Sequence, residues 1–282
     1  MKLGISTTLP HDCPEEWARL HRELGLEAVV FPRDGTAPVS EIDAYKRAAD
    51  DAGLCIAEVG AWCNPLAPDP AVREENIRKC IRQLELAEYV GALCCVNIAG
   101  AKGDVWDGSY AENYSERTYT ETVECVRRIV DAVQPKRTAY TLEPMPHMLP
   151  DSPEIYLQML RDIDRPGFGV HLDLVNLIIS PRDYFGNRAL TDRCFALLGP
   201  YIKSCHLKDA ILDHSLTVSI RETVCGKGGI DLAYYLQKAD ACNIELPMIL
   251  EHLPTPADYK TSAVYIRKLY RDSICDRKEE LV

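Results

Sequence analysis

Eight short apolar runs recur along the 282-residue chain, separated by longer amphipathic stretches. They are LGIS at 3–6, EAVVF at 27–31, CIAEVGAW at 55–62, LCCVNI at 93–98, AYTLE at 139–143, FGVHLD at 168–173, IKSCHLK at 202–208 and PMILEHL at 247–253. Runs of this length and composition suit strands buried on both faces, as in a parallel sheet covered by helices. Between them, PEEWARLHRELG, EIDAYKRAADDAG, REENIRKCIRQLELAEYVG, YTETVECVRRIVDAVQ, SPEIYLQMLRDI and LAYYLQKADACN carry apolar residues at helical spacing. Several of these end at the Gly or Asn expected where a helix stops. Eight such alternations predict a (β/α)8, or TIM, barrel in a single domain over 1–282. The rival architecture, a doubly wound open sheet, calls for a Gly-rich phosphate loop after the first strand, and GISTTLPHD supplies none. No internal repeat or low-complexity linker divides the chain.

Charge and cysteine content narrow the function classes. Acids outnumber bases 43 to 32, giving a formal charge of -11 with no basic stripe, which opposes nucleic-acid binding. No window approaches the ~18 apolar residues of a membrane span, and MKLGISTTLP lacks the apolar core of a signal peptide. The expectation is a cytoplasmic protein with no membrane partner. The twelve cysteines form no CxxC pair, and Cys55, Cys94, Cys95 and Cys205 fall inside strand-like runs. They read as reduced core thiols.

Barrels of this kind place their active sites at the C-terminal strand ends. There the last four strands carry Glu143, Asp173, His206 and Glu251, three carboxylates and an imidazole converging on one point. That donor set suits a divalent cation, with Mn or Mg ahead of thiol-seeking metals. His147, on a proline-stiffened loop four residues past Glu143, is a candidate catalytic base. Lys208 could anchor an anionic oxygen, and Trp62 and Trp106 could stack on a sugar or aromatic ring. His171, two residues before Asp173, points the same way from deeper in the barrel and could orient a ligand. The long segments 97–117 and 208–231 read as βα insertions that build the rim, with Arg221 and Glu222 expected to pair on the second.

The motifs LEP (Glu143), HLD (Asp173), CHLKD (His206) and ILEH (Glu251), with GKGGID at 226–231, resemble the xylose-isomerase-like barrels. These are usually labelled sugar phosphate isomerases/epimerases and also include ketose 3-epimerases and an endonuclease branch. The resemblance implies that Glu143, Asp173, His206 and Glu251 hold one catalytic divalent ion. Mn is the first choice, and Mg, Co or Zn are the alternatives. It further implies that Glu143 and Glu251 act as an acid/base pair on the carbon beside a sugar carbonyl. One departure stands out: the pattern Asp-x-x-His that commonly follows the metal aspartate is DLVN here, placing Asn176 where a substrate-contacting histidine would be. Asparagine hydrogen-bonds but cannot shuttle protons. HLDLVNLIISPRDYF and the segment from CHLKD to GKGGID are also similar to the catalytic α subunits of bacterial C-glycoside deglycosidases. That likeness implies a lyase that removes an aromatic aglycone from a 3-oxo-C-glycoside by β-elimination, partnered by a small β subunit.

The sequence therefore predicts a metal-dependent sugar enzyme, with the C–C lyase placed ahead of an isomerase or 3-epimerase. No Arg/Lys cluster suggests a phosphorylated substrate. Phosphodiester cleavage would require more histidine and acidic ligands than the chain offers. A non-catalytic barrel acting as a binding module is the remaining alternative, and retention of all four ligand-type residues argues against it.

Overall fold

A computed structural model describes the backbone of residues 1–279 and the side chains of residues 1–273. All eight apolar runs form strands: β1 (Lys2–Ile5), β2 (Ala28–Val30), β3 (Cys55–Gly60), β4 (Cys94–Asn97), β5 (Ala139–Leu142), β6 (Phe168–Asp173), β7 (Ile202–Leu207) and, after a hairpin, β10 (Pro247–Leu250). They pair in parallel in the order β1-β10-β7-β6-β5-β4-β3-β2. The two ends of this sheet meet, because the Glu27 N–H donates to the Leu3 carbonyl at 2.9 Å. The seam is tight enough to require Gly4, where a Cβ would lie 2.7 Å from the Ala28 carbonyl oxygen. The expected barrel is therefore present and nearly closed.

The helices are α1 (Pro14–Glu23), α2 (Val39–Asp51), α3 (Pro70–Val90), α4 (Glu116–Val133), α5 (Pro153–Ile163), α6 (Pro181–Phe185), α7 (Asn187–Leu198), α8 (Leu232–Cys242) and α9 (Pro256–Glu279). Local chemistry sets their starts. Asp69 caps the Ala71 and Val72 N–H groups of α3, Ser152 caps Ile155 in α5, and proline occupies the first turn of both. The main core lies between sheet and helices, where Trp17, Leu84, Ile129, Tyr156 and Tyr235 are fully buried. Tyr156 does more than fill space: its hydroxyl accepts from the Leu142 N–H at 3.0 Å and donates to the Leu142 carbonyl at 2.5 Å, steadying the end of β5.

Two irregularities prepare the barrel interior. The β2–β3 register skips one residue, pairing Val29 with Ile56 and Val30 with Glu58. The β6–β7 register skips Lys203, pairing Val170 with Ile202 and His171 with Ser204. Such bulges redirect side chains. The 208–231 insertion is partly ordered as an antiparallel hairpin, β8 (Asp209–Leu212) with β9 (Ile220–Thr223). Eleven cysteines are described, all as free thiols, nine of them buried or half-buried.

Candidate metal centre

The ladder ends at Leu142 and Leu250, so Glu143 and Glu251 stand one residue beyond β5 and β10, while Asp173 and His206 end or nearly end β6 and β7. The geometry brings all four together, with one ligand atom from each within 4.8 Å of the others. His206 Nδ1 is central, lying 2.9 Å from Glu251 Oε2, 3.1 Å from Glu143 Oε1 and 3.5 Å from Asp173 Oδ2. Lys208 Nζ is 2.8 Å from Asp173 Oδ2 and 2.9 Å from Glu251 Oε2. Despite these short distances, neither oxygen receives a directional hydrogen bond. Two buried carboxylate oxygens left in this state beside an imidazole nitrogen fit a small cation bound among them.

Burial and charge act against one another here. Burial raises the Glu143 carboxyl above the ordinary range. Burial also opposes ionisation of Asp173, but the Lys208 ammonium and His206 hold it well below that range. Glu251, likewise buried, is pulled down to about 2 by His206 and Lys208. His206 is pushed well up, the surrounding carboxylates outweighing the cost of burying its charge.

Above the four residues opens a cavity of about 420 Å³. Its walls are apolar at Trp62, Ile98, Trp106, Met145 and Pro146 and polar at Glu143, Asn176, Glu222, Glu251 and His252. Asn176 donates to Glu143 Oε1 at 3.0 Å, and its backbone N–H donates to Asp173 Oδ1 at 3.0 Å. Trp62 lies over His206 with near-parallel rings, centroids 6.5 Å apart and planes 27° apart. Four non-glycine residues among those described have positive φ. Gln134 and Asp164 close helices, whereas Trp62 (35°) and His252 (53°) border the cavity. Non-glycine residues held in this region tend to mark functional sites.

Two placements depart from expectation, those of His147 and of the pair Arg221 and Glu222. His147 does not line the cavity; its Nε2 bonds the Asp107 carbonyl oxygen at 2.6 Å and so ties the loop after β5 to the 97–117 segment. His171 lies deeper in the barrel, as its spacing from Asp173 suggests; it is fully buried, does not line the cavity and packs edge-on against His206, with centroids 4.1 Å apart. Arg221 and Glu222 do not pair. Arg221 bonds Asp213 at 3.2 Å, while Glu222 turns inward to Lys208 Nζ at 3.2 Å and His252 Nδ1 at 3.0 Å. Glu222 and His252 are thus cavity residues that the sequence reading did not place. Glu58 was missed altogether, although a lone carboxylate within the apolar run CIAEVG was a visible signal.

A nearly closed (β/α)8 barrel carries at its C-terminal mouth a buried cluster of three carboxylates and a histidine that could hold a metal ion. The sequence from 18 to 269 matches the family model for the xylose isomerase-like TIM barrel, and the chain belongs to that family. Curated proteins give no match. Among solved structures, a D-tagatose 3-epimerase-like protein shares 19% identity over 100% of both chains with a TM-score of 0.74. A xylose isomerase-like TIM barrel protein from Mycobacterium smegmatis, in complex with magnesium, shares 18% identity over 92% of this chain and 88% of that one, with a TM-score of 0.69. The 3-keto-D-glucoside 4-epimerase from E. coli shares 17% identity over 95% and 99% of the two chains, with a TM-score of 0.68. At these identities the likeness is one of fold. No helix among the described residues is long and apolar enough to cross a membrane.

Proposed function

We propose that the chain is a divalent-metal-dependent enzyme of the sugar isomerase or epimerase class, removing a proton from the carbon beside a carbonyl. The observation that carries this reading is the convergence of Glu143, Asp173, His206 and Glu251 at the floor of a sugar-sized cavity. The similarity in fold to proteins named as epimerases supports it. A bound divalent cation, with Mn our first choice, would polarise a substrate oxygen and acidify the neighbouring C–H. Glu143 and Glu251 flank the same position, so one carboxylate takes the proton and the other returns it. The Lys208 ammonium, buried among them, offsets negative charge that develops on the substrate oxygen. Asn176 orients Glu143 through its amide and carries no proton. His147 positions the loops from outside the cavity.

One feature favours a second reading, the β-elimination of an aromatic aglycone from a 3-oxo-C-glycoside. The apolar wall of Trp62, Ile98, Trp106, Met145 and Pro146 offers an aryl group more surface than a small ketose needs. Both reactions begin with the same proton abstraction. The deciding experiment supplies the Mn-loaded protein with free ketohexoses, 3-keto-glucosides and a 3-oxo-C-glucosylflavonoid, alone and with a small partner protein encoded nearby. Stereoisomers without aglycone release establish the epimerase, aglycone release establishes the lyase, and no turnover of any of them rejects both.

A further inference from the structure

We infer that Glu58 is a positioning residue for His206, holding the imidazole from below so that Nδ1 faces the three carboxylates of the metal centre. The inference rests on reading those four residues as that centre. Glu58 is 1% exposed and lies in the barrel interior on β3. It accepts hydrogen bonds from the Ser204 hydroxyl and from His171 Nε2, the latter at 3.1 Å. Its second oxygen, Oε2, lies 3.6 Å from His206 Nε2, a buried nitrogen with no hydrogen-bond partner.

Two observations indicate that this arrangement is built rather than incidental. Both interior bulges fall at its level: the β2–β3 slip precedes Glu58, and the β6–β7 slip brings His171 opposite Ser204. Ala28, Ala57 and Ile249 form a small buried apolar cluster that includes the strand neighbour of Glu58, and a buried carboxylate is costly without partners. The His206 ring is sandwiched, with His171 edge-on at 4.1 Å and Trp62 stacked at 6.5 Å. Packing thus fixes the plane of the ring, and an acceptor facing Nε2 decides which nitrogen points up. Carboxylate–histidine–metal relays orient ligands in this way. A second ion shared by Glu58, His171 and His206 is the competing assignment, since their ligand atoms also cluster. It is disfavoured because Glu58 Oε1 already accepts from both Ser204 and His171.

The test is Mn2+ titration of the metal-stripped full chain, with free ion followed by electron paramagnetic resonance, for wild type, Glu58→Leu and Glu58→Gln. The expected result is one ion per chain, with affinity weakened ~10- to 100-fold in Glu58→Leu and largely restored in Glu58→Gln, whose amide oxygen still accepts. Equal affinity in wild type and Glu58→Leu overturns the inference and leaves Glu58 a core group. Two ions per chain, one of them lost with Glu58, also overturns it by making Glu58 a ligand. If wild type binds no ion, the metal-centre reading itself fails. Should Glu58→Leu not fold, the 15N spectrum of histidine-labelled wild type with Mg2+ decides. A proton on His206 Nε2 is expected, and a proton on Nδ1 overturns the inference.

Discussion

Asn176 shows how one side chain can shape the chemistry of a shared scaffold. Its amide donates to Glu143 Oε1 and its backbone N–H to Asp173 Oδ1, so it aligns two carboxylates at once. Asn176→Ala removes the first contact and is expected to cost about 1.5–3 kcal/mol, the worth of a hydrogen bond to a charged group. Turnover of the best substrate should fall roughly 10- to 100-fold, a drop that steady-state kinetics would reveal. Glu143→Ala and His206→Ala strip ligands from the centre, and elemental analysis should find near-zero metal against about one ion in wild type. Asn176→Ala should keep its metal, because it alters orientation and not the donor set.

The hairpin β8–β9 is an antiparallel addition to the eight-stranded barrel. Asp209 anchors it: its carboxylate accepts from the backbone N–H groups of Ala210, Gly226, Gly228 and Ile230, at 2.9, 2.9, 2.9 and 3.2 Å. Gly228 is required there, because a Cβ would meet the Ala210 carbonyl oxygen at 2.2 Å. Asp209→Ala leaves four buried or half-buried donors without an acceptor and should destabilise the protein by at least ~2 kcal/mol in urea titrations. It should also hasten proteolysis near residues 214–217. The motif CHLKD announced a buried ligand and a basic neighbour, yet nothing local in the sequence showed that its aspartate would gather the GKGGID loop. The eight strands were legible because burial on both faces leaves each of them continuously apolar. Glu143, Asp173, His206 and Glu251 were legible because each sits at the end of such a run. The lone carboxylate of Glu58 was visible in its apolar run, but its placement, like that of His252, was not, since these depend on a register slip and on a positive φ, which no periodicity encodes. His147 was misplaced for a similar reason: nothing local in its proline-rich loop showed that its ring would bond the Asp107 carbonyl oxygen.

At the scale of the whole molecule, the proposed metal and protons would act on the same cluster. At a free metal concentration of ~100 Kd, binding contributes about 2.7 kcal/mol, which for a chain of this size corresponds to a Tm rise of roughly 5 °C. Chelation should abolish that rise in a thermal melt, and Glu143→Ala should never show it. In the metal-free protein, Asp173 and Glu251 have carboxyls depressed relative to the unfolded chain. Their contribution is therefore complete above the ordinary carboxylate range of ~4, and it is lost as the pH falls toward the value of about 2 at Glu251. Glu143, shifted upward, works in the opposite sense and loses stability as the pH rises through its folded value. His206, held well above its ordinary value by the surrounding carboxylates, adds stability that is likewise lost as the pH rises, so melts at successive pH values should show losses on both the acid and the alkaline side.

The chain has three tryptophans, and two of them, Trp62 and Trp106, border the cavity, while Trp17, on α1, is buried against Tyr45 of α2. Most of the indole emission that solvent and ligands can perturb therefore originates within reach of the site. A paramagnetic ion seated beneath Trp62, or an aromatic guest against Trp106, should quench or shift that fluorescence while Trp17 supplies a constant background. The protein carries its own optical gauge of occupancy, readable without a substrate or a label.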